Sequence, residues 1–168
     1  RHLLSRAGTD MELLEKELEK LYSYTLGKEE ITAEDIDAVC TAQITNKIFD
    51  MVEAVAAKRQ KEALSYYYDL LALKEPPMRI LYLLSRQFRL LLEVKEMMKQ
   101  GYDKSQIAKT AKLHPFAAGK YMKQCRDFTK SQLKEIMEEA AGYEELVKTG
   151  RLNDRMSVEL FIVKYSLA

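Results

Sequence analysis

Several groups of residues in this 168-residue chain have types and spacings that could do chemistry. Lys148-Thr149-Gly150 carries the Lys-Thr pair of a phosphate-binding loop. Such a loop needs a glycine-rich turn whose amides cradle the phosphates, and a strand leading into it. Neither is present, so the triplet reads as a helix end closed by glycine. Glu138-Glu139 and Glu144-Glu145 are carboxylate pairs, but Lys134 and Lys148 stand near them. No nucleophile, partner base or electrophile accompanies them, so they read as a solvated helix face. The two histidines, His2 and His114, have no partner at metal-ligand spacing. Cys40 and Cys125 lie far apart and form no C-x-x-C pattern, which predicts two reduced, part-buried thiols and no zinc site. The expectation is a chain without catalytic residues, cofactor-binding residues or metal ligands.

The basic residues are more suggestive. From Lys95 to Lys134 there are 10 Lys/Arg against three acids. A patch of that sign attracts phosphate backbones. Within it, Ser105-Gln106-Ile107-Ala108, Leu113-His114-Pro115 and Ala117-Ala118-Gly119-Lys120-Tyr121 look like two short helices around a tight turn, as in a DNA-reading helix-turn-helix. The second helix lacks the usual base-reading set, because its first turn holds no Asn, Gln or Arg. Sequence-specific reading, non-specific backbone contact and a merely solvated face all remain open at this point. Two rows could touch DNA phosphates. One is Lys120, Lys123 and Arg126, expected to share a helix face. The other is Lys148, Arg151 and Arg155, around a helix start whose unpaired amides would add to anion binding.

The elements that must position these residues are helices. Hydrophobic residues make up 47% of the chain, enough for a core, while 32% charged residues argue against a membrane protein. With 6 Gly and 3 Pro there is little turn chemistry for an all-β fold. Capping signals recur at Thr9/Glu12, Thr32, Asp103/Gln106 and Thr129/Gln132. Helices are expected from about Ala33 to Thr41, from Asn46 to about Ala57, to about Leu73, and from Pro77 to Lys99. Further ones follow Asp103, Pro115, Thr129 and Asn153. The Pro77–Lys99 stretch is apolar on most of its circumference and is expected to lie buried at the centre of a bundle. Of Tyr66, Tyr67 and Tyr68, at least one must face outward. Residues 1–45 hold 5 basic and 10 acidic residues, residues 46–168 hold 22 and 16, and this switch marks an expected domain boundary. The chain opens at Arg1 as though inside an element, so a piece of a longer, cytoplasmic protein is expected.

Taken together, the motifs carry a resemblance. Gly8-Thr9-Asp10-Met11-x-x-Leu14-x-x-Glu17-Leu18-x-Lys20-Leu21 and Ile31-Thr32-x-Glu34-Asp35-Ile36 resemble the helical lid that follows an AAA+ ATPase core. Asn46-Lys47-Ile48-Phe49-Asp50, Pro76-Pro77-x-x-Ile80-Leu81-x-Leu83-Leu84-x-Arg86-Gln87-Phe88-Arg89, Leu113-His114-Pro115-Phe116 and Lys148-Thr149-Gly150 continue it. In this order they are similar to the delta subunit family of the bacterial DNA polymerase III clamp loader, over essentially the whole chain. The resemblance implies an all-α fold with a small three-helix lid (1–45) and a larger helical-bundle collar (46–168). It implies no ATP hydrolysis, since Gly8-Thr9-Asp10-Met11 lacks the nucleotide-sensing arginine of related ATPases. The implied partners are other clamp-loader subunits through the collar, primed DNA without sequence preference, and the sliding clamp through an N-terminal domain not in this chain. The alternative is a helix-turn-helix regulator with an oligomerisation bundle.

Overall fold

The computed structural model describes residue 3 and residues 11–167, the side chains of residues 11–14 and 40–43 excepted. The Thr9 capping box, the Gly8–Asp10 stretch and the Cys40 thiol therefore lie outside the described residues. The helices are α1 (Met11–Tyr24), α2 (Ala33–Ala56), α3 (Gln60–Ala72), α4 (Pro77–Lys99), α5 (Lys104–Thr110), α6 (Pro115–Gln124), α7 (Lys130–Lys148) and α8 (Asp154–Ser166). A 3₁₀ turn, Cys125–Asp127, links α6 to α7. No strand occurs among the described residues.

The helix starts follow from local side-chain chemistry. Thr32 accepts from the Asp35 amide at 3.2 Å, and Asp35 accepts from the Thr32 amide at 3.0 Å. Asp103/Gln106 and Thr129/Gln132 form the same reciprocal pair. Each such cap contributes about 1 kcal/mol. Asp35 also takes the Lys28 ammonium, and these bonds pull its carboxyl down to about 2.

The helix ends are less conventional. Five close with a six-to-one and five-to-two pair of backbone bonds, such as Arg151 N to Leu146 O at 2.9 Å and Gly150 N to Val147 O at 3.0 Å. This closure needs a left-handed residue. Gly101 and Gly150 supply it twice, but Lys58, Lys74 and Lys112 supply it at φ 59, 60 and 54. A Cβ in that region is strained, which is why glycine usually sits there.

One expected boundary is absent. The helices expected at Ala33–Thr41 and from Asn46 are a single 24-residue helix, α2. Gln43-Ile44-Thr45-Asn46 is polar but holds no Gly or Pro, and buried Ile44 leads at helical spacing into buried Ile48, Val52 and Val55. The switch from acidic to basic sequence thus runs inside a continuous helix.

The core centres on α4, which packs against α2, α3, α5, α6, α7, α8 and the 3₁₀ turn. Ile80, Leu81, Leu84, Phe88, Leu91 and Val94 are buried. Phe88 meets Phe128 and Phe161 edge-on, with centroids 5.6 and 6.4 Å away. Burial on all sides does not hold: Tyr82 is 65% exposed, and Arg86 and Arg89 are exposed beside it. Among the inward residues is a polar one, Gln87. It accepts from Tyr121 Oη at 2.8 Å and donates to Gln124 Oε1 at 3.0 Å. Gln124 in turn donates to the Phe49 carbonyl at 3.0 Å. Of the three tyrosines, Tyr67 is buried and Tyr68 is 43% exposed.

Two substitutions probe this packing. Leu84→Ala is expected to cost about 2–5 kcal/mol in urea melts, the range for deleting a buried Leu side chain; a loss below about 1 kcal/mol would place that face outside the core. Lys74→Gly is expected to stabilise by about 0.5–1 kcal/mol, because it relieves the left-handed strain while the glycine entropy cost offsets part of the gain. An unchanged or lower melting midpoint would contradict it.

Candidate nucleic-acid and partner interface

Several of the described groups that could do bond-making chemistry are committed to structure, while His2 lies outside the described residues. His114 caps α6, its Nδ1 accepting from the Phe116 amide at 3.3 Å. Cys125 is buried, and burial pushes its thiol up. Glu139 accepts from Lys164 and Tyr165, which hold its carboxyl below the usual range. Glu144 pairs with Lys148 at 2.6 Å. No cluster of three or more His, Cys, Asp or Glu able to hold a metal occurs among the described residues. No helix among the described residues is long and apolar enough to cross a membrane.

The helix-turn-helix look-alike is real as a local shape: α5 and α6 flank a turn at Lys112. Its inner faces are tied into the bundle through buried Ile107, Ala108, Ala118 and Tyr121. What α6 presents outward at its start is Pro115 and Phe116, which carry no side-chain hydrogen-bonding group. Phe116 is 68% exposed, and the Lys120 ammonium stands 5.1 Å from its ring centre.

The first predicted row does not stay together. Lys120 and Lys123 line a hollow of about 240 Å³ with Asp50, Glu53 and Asp127, so acids outnumber the cations there. Arg126 sits on the 3₁₀ turn and faces another way. Three-residue steps along an α-helix drift by roughly 60° each, so a row of three turns well away from one face.

Arg126 instead joins Lys95, Lys99 and Lys130 around a hollow of about 390 Å³ that holds one acid, Glu96. Lys95 donates to the Cys125 carbonyl at 2.9 Å, and Lys130 pairs with Glu96 at 2.6 Å. That pairing holds the Glu96 carboxyl below its ordinary range. The sequence pointed to the basic segment but not to this set, because α4 and α7 bring the members together from distant positions.

The second predicted row is largely partnered. Lys148 holds Glu144. Arg155 lies 3.6 Å from Glu159 and stacks over the Tyr68 ring at 5.8 Å. The expected free amides at the start of α8 are corrected by its cap: Asn153 Oδ1 accepts from Arg155 N at 3.0 Å and Met156 N at 3.2 Å. Arg151 is exposed.

Three comparisons bear on this arrangement. A family model described as "DNA polymerase III delta subunit, C-terminal domain" matches residues 45–165. The chain is 32% identical over 163 residues to the DNA polymerase III subunit delta of Bacillus subtilis, covering 97% of this chain and 47% of that protein. Among solved structures, the Bacillus subtilis DNA clamp loader delta protein is similar with a TM-score of 0.72 and 32% identity, over 98% of this chain and 49% of that one. The chain spans about half the length of the relatives it matches. With a family match across most of the bundle, and sequence and backbone agreeing along nearly the full chain, it belongs to the DNA polymerase III delta subunit family.

Proposed function

We propose that this chain is the lid and collar portion of a clamp-loader delta subunit, a non-catalytic assembly piece acting in the bacterial cytoplasm. In this reading residues 46–168, the collar, join neighbouring loader subunits into the ring that places the sliding clamp on primed DNA. Residues 1–45 are the lid, and contact with the clamp belongs to a domain outside this chain. The observation that carries the reading is the backbone likeness to a clamp loader delta protein over 98% of the chain. The start of the family match at residue 45 supports the division. Residues 1–168 carry no phosphate loop, so this chain by itself is not expected to bind ATP. The helix-turn-helix regulator is not favoured, since Pro115 and Phe116 at the start of α6 cannot read base edges.

DNA contact in this reading is to phosphates and independent of sequence. The hollow around Lys95, Lys99, Arg126 and Lys130 is its best support, because its one acid, Glu96, is taken by Lys130 and cations remain in surplus there. Of the other predicted residues, Lys120 and Lys123 stand opposite Asp50, Glu53 and Asp127, and Lys148 and Arg155 are held by glutamates.

The test combines assembly with DNA binding. Mixed with the remaining loader subunits, the chain is expected to co-elute with them, whereas labelled ATP gives no saturable signal with the chain alone. On primed DNA, Lys99→Ala with Arg126→Ala is expected to weaken binding and flatten the plot of log affinity against log salt. The slope should change by about 0.9 for each duplex phosphate no longer neutralised, or about 0.7 on single strands. Arg151→Ala with Arg155→Ala should change it less. Failure to co-elute would defeat the assembly reading; a tight preference for one short duplex, typically 10³-fold or more, would restore the regulator.

A further inference from the structure

We propose that the open face of α4 is a docking groove for an acidic amphipathic helix of another protein. The observation is a groove of about 760 Å³ between α4, α7 and the α5–α6 turn. Its floor is apolar, made by Met78, Leu90, Leu113, Met137 and Val147, all only partly buried. Tyr82, 65% exposed, stands over it. From Met78 to Glu93 the groove follows α4 for about 22 Å, the length of roughly 15 helical residues. Two methionines in the floor give it adaptable packing.

The rim selects the partner's charge. Arg86, Arg89, Lys112 and Lys148 line the groove, against Glu93 and Glu144. Glu144 is neutralised by its ion pair with Lys148 at 2.6 Å. Arg86 and Arg89 make no ion pair among the described residues, although acids are available elsewhere on the bundle. Both belong to the Arg86-Gln87-Phe88-Arg89 stretch that carries the family resemblance. The fold uses Gln87 and Phe88 inside and leaves the two arginines outside. A planar guanidinium with no partner suits a carboxylate arriving from another molecule.

A helix is the occupant this shape fits. Its apolar residues at i, i+4, i+7 and i+11 would fill the floor, and its flanking Glu or Asp residues would reach the arginines. Nucleic acid fits less well, since an apolar floor offers nothing to phosphates, which need a cation or donor at each contact. The inference goes beyond the loader assignment and stands without it, because the groove, its floor and its rim are properties of this chain.

The experiment uses a labelled helical peptide of about 15 residues with Leu at those four positions and Glu on both flanks. A counterpart carries Lys in place of Glu, and a single-stranded oligonucleotide serves as competitor. The chain is expected to bind the Glu peptide saturably in fluorescence anisotropy, and the Lys peptide at least ~10-fold more weakly. Arg86→Glu with Arg89→Glu should reverse that order, because the charge that selects has been swapped. Both side chains are exposed, so the thermal melt of the variant should match the parent. Ala141→Trp, on the exposed α7 wall of the groove, should block both peptides without altering charge. No saturation by either peptide overturns the proposal. So does Glu-peptide binding that survives both variants, or an oligonucleotide that displaces the peptide.

Discussion

Gln87 has to satisfy two partners at once, and the register of the bundle depends on it. α4 is the helix on which six others and the 3₁₀ turn are packed. An apolar helix surface fixes such packing only loosely, because many rotations bury similar area. A buried amide is more exacting, since an unpaired donor or acceptor in the interior costs about 1–3 kcal/mol. Gln87 accepts from Tyr121 and donates to Gln124, and Gln124 donates onward to the Phe49 carbonyl. One connected set of hydrogen bonds thereby locks α6 and α2 onto α4. The T-shaped contact of Phe49 with Tyr121, 5.7 Å between centroids, follows from that placement.

This constraint was not legible in the sequence. Its members lie 34 and 37 residues apart, and glutamine within an apolar stripe gives no sign of which way it points. What was legible was local. Thr32, Asp103, Thr129 and Asn153 cap the helices they precede, and Pro77 opens the helix expected there. Stops were harder to read than starts, because Lys58, Lys74 and Lys112 hold left-handed positions where glycine is the usual signal. The undivided α2 has a similar cause: polar residues and a change of net charge do not interrupt a helix when no Gly or Pro intervenes.

The charged surface shows the same division between local and distant information. The basic segment is visible in the sequence as a run of lysines and arginines. Grouping them into rows required knowing what lies opposite. Lys120 and Lys123 are neighbours on α6, yet α2 sets Asp50 and Glu53 against them. Arg126 looked like their continuation, yet the 3₁₀ turn delivers it to cations from α4 and α7. A cation matched by a nearby acid contributes little field at a distance, so net charge along the sequence overstates some sites and hides others.

The same helix that organises the core also explains why the bundle has a surface to offer. α4 is apolar over more of its circumference than the six packed helices cover. A helix that served only as a core element would carry polar residues wherever its neighbours leave a gap. Here the gap holds Tyr82 and partly buried Met78 and Leu90, edged by arginines without ion-pair partners among the described residues. Leaving that strip in water forgoes about 25 cal/mol for each Å² of apolar surface that remains wet. α8 does the same on a smaller scale, with Met156 and Leu160 one turn apart at 52% and 43% exposure. In a chain whose buried residues are closely interlocked, such uncovered apolar strips are the surface that the assembly role proposed above would require.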